Sequence, residues 1–193
     1  MKEKFINLLL STNRPNIENL IRDLDEKGFF TAPASSFNHL SQEKGLLEHS
    51  LNVYDAAMSL RDTFIKFDPS SEEILNDESI IICSLLHDIC KANLYYPCSK
   101  NIKKENGWEE VKGYDCDYNK FPFGHGEKSV VMILLNGVEL SEEEMLAIRY
   151  HMGAFKLLFT DKESNAQFNA AQSCPLVLLI QMADYMATKL IEK

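Results

Sequence analysis

DESIIICSLLHDICK, residues Asp77–Lys91, is the stretch on which the fold turns. From Ile80 to Leu86 it is apolar almost throughout, as expected of a central helix buried on every side. Into that run the chain sets His87 and Asp88 side by side. A lone carboxylate is costly to take out of water, so Asp88 needs a partner, and that partner must come from another segment.

Outward from this stretch most of the chain reads as helix. PNIENLIRDLDEKG has Pro15 near a helix start, a stripe of Ile17, Leu20, Ile21 and Leu24, and Gly28 as a stop. GLLEHSLNVYDAAMSLRDTF places Leu47, Leu51, Tyr54 and Met58 at helical spacing. HGEKSVVMILLNG ends in an Asn-Gly stop, and SEEEMLAIRYHMG opens with Ser141 and Glu144 in a capping box and closes at Gly153. CPLVLLIQMADYMATKLIEK has Pro175 in its first turn and reads as helix onward to Lys193. One segment departs from this pattern. Between about 94 and 123, Asn106-Gly107 flanked by β-prone residues predicts a hairpin. Its Tyr95, Tyr96, Trp108, Tyr114 and Tyr118 suit stacking on a base or, for most of them, packing of the hairpin onto the helices. The expected fold is all-α, a single domain over 1–193 with a small β-hairpin insertion around 94–123. Residues 1–44 form an N-terminal helical extension and loop ahead of the core.

The bulk properties bound the function. A chain of 193 residues with 45% hydrophobic and 25% charged residues matches a globular protein with a sizeable core. No apolar run approaches the roughly 20 residues that span a bilayer, and the first residues lack a signal-peptide pattern. Cys83, Cys90, Cys98, Cys116 and Cys174 form no CxxC pair, which suits free thiols in a reducing cytoplasm. The net charge of −9 argues against extended nucleic-acid binding. It leaves an anionic small substrate open, because a bound metal reverses the local sign. A cytoplasmic protein with no membrane association is expected.

The chain has five histidines: His39, His49, His87, His125 and His151. The last four lie on or at the edge of expected core helices, and Asp184 interrupts the final apolar helix as Asp88 does its own. Any one of these residues alone reads more readily as a hydrogen-bonded core histidine, or as an aspartate paired with a cation such as Arg149, than as a ligand. Six such intrusions together favour convergence on a shared cation. Mixed imidazole and carboxylate ligands suit Zn, Mn, Fe or Ni, and six are more than one tetrahedral ion uses. Lys91 lies about one helical turn beyond Asp88. It reads either as a phosphate-binding cation or as a helix-end charge favoured by the macrodipole. His39, in SSFNHLSQEKG, is either a surface-loop histidine or a residue at the rim of the cleft that touches substrate phosphate.

The order His49, His87-Asp88, Asp184 resembles the H…HD…D signature of the HD superfamily of metal-dependent phosphohydrolases. The resemblance covers about Gly45–Ala187, the metal-binding core, and rests on GLLEHS, LLHDICK and ADYMA in helical context. It implies an HD-domain helical bundle of the binuclear branch. One ion would take His49, His87, Asp88 and Asp184; a second would take His125 and His151, with Asp88 bridging. The cofactor implied is a divalent metal, two ions of Mn, Fe, Ni, Co, Zn or Mg, and Lys91 would hold phosphate or protonate the leaving group. Two metals roughly 3.5–4 Å apart clamp a phosphoryl group and supply hydroxide near neutral pH. MGAFKLLF, after His151, does not resemble the cyclic-di-GMP branch, and no Glu closely follows the doublet as in the (p)ppGpp branch. GLLEHS looks more like the HD module of certain 3′–5′ exoribonucleases, but 193 residues leave no room for their separate nucleic-acid-binding domain. The implied activity is hydrolysis of a phosphoester of a nucleotide or other small phosphorylated metabolite. A 3′–5′ nuclease on short single strands and a nucleotide-binding sensor module with little turnover are the alternatives.

Overall fold

The structure, a computed structural model, describes residues 1–104, 107–156 and 160–193. Among the described residues there are eight α-helices: α1 Lys2–Ser11, α2 Ile17–Glu26, α3 Gly45–Phe67, α4 Asp77–Leu86, α5 His125–Leu135, α6 Glu142–Tyr150, α7 Lys162–Ala171 and α8 Pro175–Met186. Between α4 and α5 lie two strands, β1 Tyr95–Lys104 and β2 Gly107–Cys116. The fold is therefore an all-α bundle carrying one antiparallel hairpin. Among the described residues no single helix is long and apolar enough to cross a membrane.

α4 is the axis of the bundle. Every residue from Ser79 to Leu86 is buried, and α3, α6 and α8 pack around it. α5 is carried on α6, with Gly126 facing the backbone of Arg149 so closely that a Cβ would meet the Arg149 carbonyl oxygen at 2.2 Å. On the far side, Phe5, Phe29 and Phe30 form an aromatic cluster with ring centroids 5.0–5.6 Å apart. Local signals set the helix ends. Ile17, Leu20 and Leu24 are the buried face of α2, which stops before Gly28 at φ +77°. The capping box of α6 is formed, with Glu144 N–H donating to Ser141 Oγ (3.2 Å) and Ser141 N–H to Glu144 Oε2 (2.9 Å).

Three features differ from the sequence reading. First, α4 does not run through the His-Asp doublet: it ends at Leu86, and a 3₁₀ turn over Ile89–Lys91 follows. Neighbouring residues of an α-helix project about 100° apart. His87 keeps helical backbone angles and Asp88 departs from them, and both side chains reach one site. Second, the last helix is regular only to Met186 and continues as a wider π turn over Ala187–Ile191. Eight residues of regular α-helix would rotate Glu192 roughly 80° away from Asp184. The wider turn takes up part of that rotation, and Glu192 returns over α3. Third, Tyr96, Trp108 and Tyr118 are exposed, so most of the hairpin aromatics do not pack on the helices. The base of the ribbon meets the body through Tyr114 N–H to Ser36 O (3.4 Å) and Tyr95 O–H to Ala34 O (3.4 Å). The register runs from Tyr95 opposite Cys116 to Lys104 opposite Gly107. Asn106, in the expected turn, lies outside the described residues.

Candidate metal centre

Five segments deliver the site. His49 comes from the second turn of α3, and His87 and Asp88 from the break after α4. His125 is the first residue of α5, His151 caps the end of α6, and Asp184 lies in the last turn of α8. All six expected ligands are brought together. His49, His87, Asp88 and His151 are almost completely buried.

Asp88 is the hub. Its Oδ2 faces His87 Nε2 (3.5 Å) and His49 Nε2 (3.7 Å). Its Oδ1 faces His125 Nε2 (2.6 Å) and His151 Nε2 (3.5 Å). One carboxylate thus divides the imidazoles into two pairs. Asp184 Oδ1 joins the first pair, 3.3 Å from His49 Nε2. Among the described residues four groupings lie at metal-ligand spacing: His49–His87–Asp88, His87–His151–Asp184, Asp88–Cys90–His125 and His39–His49–Glu192.

The other face of each ring is already taken. His87 Nδ1–H donates to Ser84 O (2.8 Å), and His151 Nδ1–H to Ile148 O (2.6 Å). His49 Nδ1–H donates to Glu192, at 3.0 and 3.2 Å from its two oxygens. These bonds fix the tautomer that leaves Nε2 as a lone pair aimed at the hub. His125 Nδ1 has a softer neighbour, Cys90 Sγ at 3.3 Å, a weak partner for either tautomer.

With the imidazoles neutral, the cluster presents more lone pairs than the described residues satisfy. His49 Nε2 and His87 Nε2 stand 3.3 Å apart, two acceptors facing each other. Asp88 Oδ1 and His151 Nε2 are buried with no hydrogen-bond partner among the described residues, although His125 Nε2 closely approaches the oxygen. Buried polar atoms are normally paired. Converging acceptors with few donors call for positive charge between them, from protons or from a metal ion. The buried His/Asp cluster fits a divalent metal.

The electrostatics agree. Burial would raise the pKa of Asp88, but Lys91, His87 and His125 hold it well below the usual carboxylate range. Burial likewise opposes ionisation of Asp184, and His49 outweighs it, so that carboxyl is also held low. Burial opposes charge on His49, yet Asp184 and Glu192 lift it to about 9. His151 is raised against its burial by Asp88, whereas burial prevails at His87 and His125 and lowers both. Without metal, the negative field of the cluster favours protons on His49 and His151. A metal ion would displace them.

Lys91 Nζ lies 2.6 Å from Asp88 Oδ2, which fixes it at the hub, and Asp88 raises its pKa despite burial. His39 is not a surface-loop residue. Its ring centroid is 5.2 Å from that of His49, its Nε2 is 3.9 Å from Glu192 Oε2, and it lines the cleft. That cleft, about 1230 Å³, leads from Asp88 and His151 outward past Lys91, Met152, Phe155 and Tyr185. Arg149 plays no part at either aspartate; it pairs with Glu127 at 3.1 Å.

Sequence reasoning missed Glu192 and Cys90. Glu192, held also by Asn52 Nδ2–H (3.0 Å), stands in a polar stretch with no motif. Cys90 falls in the doublet's own stretch, but its thiol, which burial and Asp88 push up to about 12, signals only a buried side chain. No protein-family model matches the chain, and neither the curated proteins nor the solved structures yield a match.

Proposed function

We propose that the protein is a metal-dependent phosphoric ester hydrolase of the HD type, acting on a nucleotide or another small phosphorylated metabolite. The observation that carries this reading is the division of the four imidazoles by the two oxygens of Asp88. His49, His87, Asp88 and Asp184 would hold one divalent ion, and His125, His151 and the other oxygen of Asp88 a second; Mn, Fe, Ni, Co, Zn and Mg are candidates. Bound there, such ions supply Lewis acidity toward a phosphoryl oxygen and a water acidified toward neutral pH.

The remaining work falls to the chain. Asp88, held anionic by its neighbours, is placed to orient an attacking water. Lys91 stays an ammonium at neutral pH and is placed to meet charge developing on the phosphoryl group or its leaving oxygen. Burial of the histidines keeps bulk water off the ligands. The cleft of about 1230 Å³ is large enough for a nucleotide-sized molecule.

Assay of purified protein with each metal against nucleotides and small phosphomonoesters tests the proposal. Metal-dependent phosphate release that disappears in Asp88→Asn is expected. No release with any metal, or full activity in Asp88→Asn, would overturn it.

A further inference from the structure

A second cavity, of about 280 Å³, lies beside the metal centre. It is enclosed by the Ser35–Asn38 loop, the base of the hairpin and the start of α5, and it shares Lys91, Asn38 and Met152 with the main cleft. His125 lines its inner end. It is slightly smaller than a whole ligand site, roughly 300–1,000 Å³. It therefore suits one part of a molecule whose other part sits at the metal centre.

Its charge is unusual. Lys91 is matched by Asp88, and Lys120 by Asp117 at 3.8 Å. Lys128 is matched by nothing: it is only 6% exposed, and no carboxylate pairs with it among the described residues. Its Nζ donates to the Lys120 carbonyl oxygen (3.0 Å) and stands 5.7 Å from the centroid of Phe121. An ammonium has three donors, so the carbonyl leaves others unused. A buried charge without a counterion is costly and calls for an anion. Lys128 also lies three residues beyond His125 on α5, one turn along the same face. The anion it would take thus adjoins the group held at His125.

We infer that this cavity is a subsite for a second phosphate, so that the molecule hydrolysed at the metal centre carries at least two linked phosphates. The inference rests on the phosphohydrolase reading and narrows its substrate class. An inner phosphate carries one negative charge, the charge of the single unpaired ammonium. Phe121 and Phe123, partly exposed at the mouth with ring centroids 5.3 Å apart, leave an apolar edge for whatever the second phosphate is attached to.

Calorimetry of Mn-loaded protein with inorganic phosphate, pyrophosphate and phosphoglycolate, at one fixed free-metal concentration, tests it. Pyrophosphate is expected to bind at least tenfold tighter than phosphate, and Lys128→Met to bring that ratio close to one. Lys128→Arg should retain most of it. A wild-type ratio near one, a ratio unchanged by Lys128→Met, or phosphoglycolate binding as tightly as pyrophosphate would overturn the assignment. The wild-type ratio needs no variant, so a Lys128→Met protein that failed to fold would leave the test intact. Absence of turnover would not alter the ratio, and loss of the ratio would not abolish monoester hydrolysis, so the two proposals fail separately.

Discussion

Glu192→Gln isolates the role of a carboxylate that touches the metal centre only through His49. Glu192 is buried, accepts from His49 Nδ1–H at 3.0 and 3.2 Å, and is held by Asn52 at 3.0 Å. Such outer partners make an imidazole more basic and fix its orientation, and their loss typically costs 10–100-fold in metal affinity. Gln keeps the shape and one acceptor but removes the charge, so the low end applies: about tenfold, or about 1.4 kcal/mol. Glu192→Ala also frees the ring to turn and should approach the upper end, about 100-fold or about 2.7 kcal/mol. Competition titration with a chromophoric chelator measures both, with Mn and with Zn. If Glu192→Gln and Glu192→Ala both bound metal within twofold of wild type, His49 would not be a ligand oriented by Glu192, and the first half of the site would be wrong.

Metal should stabilise the folded chain: free Mn at 100 times its Kd should add about 2.7 kcal/mol to unfolding, and the gain should vanish in Asp88→Asn, as read by thermal melts. Gly126→Ala would push α5 off the Arg149 carbonyl, where the new Cβ would stand at 2.2 Å. Overpacking of this kind costs about 1–3 kcal/mol. Because the α5–α6 spacing also sets His125 against His151, metal affinity should fall with stability. Glu144, fully buried, takes a bidentate contact from Arg14 at 2.6 and 2.7 Å and a hydrogen bond from Ser79 at 2.8 Å. Glu144→Gln should cost about 3 kcal/mol at pH 7, the low end for a broken buried pair, since Arg14 keeps Glu78. Burial works against ionisation of Glu144, but Arg14 and the capping contacts hold its pKa below the ordinary value. Its contribution is thus complete above the unfolded pKa, roughly 4.3, and is lost as pH falls through the lower folded value. Urea titrations from pH 7 down to pH 3 should show the gap between wild type and Glu144→Gln closing; a constant gap would refute the charge argument.

The legible parts of the fold share one property: each is written in local chemistry. Ser141 and Glu144 spell a capping box within four residues, Gly28 ends α2, and Pro175 opens α8, all without reference to the rest of the chain. The six clustered residues were legible because polar groups inside apolar helices have few low-energy explanations. The end of α4 was not, since no Gly or Pro marks Leu86. Glu192 and Lys128 were hidden for the opposite reason. Each is a charged residue in a polar context, where charge is unremarkable until the fold buries it. The bidentate partner of Glu144 was equally out of reach, because Arg14 lies 130 residues away in a linker.

The central claim is that the buried acceptors around Asp88 are the ligands of a metal centre. An anomalous-scattering map from a crystal of the Mn-loaded protein, recorded where Mn absorbs, tests it most directly. Anomalous peaks on both sides of Asp88, one among His49, His87 and Asp184 and one among His125 and His151, are the predicted result. A map without a peak in contact with Asp88, from crystals whose Mn content is confirmed by fluorescence, would contradict it.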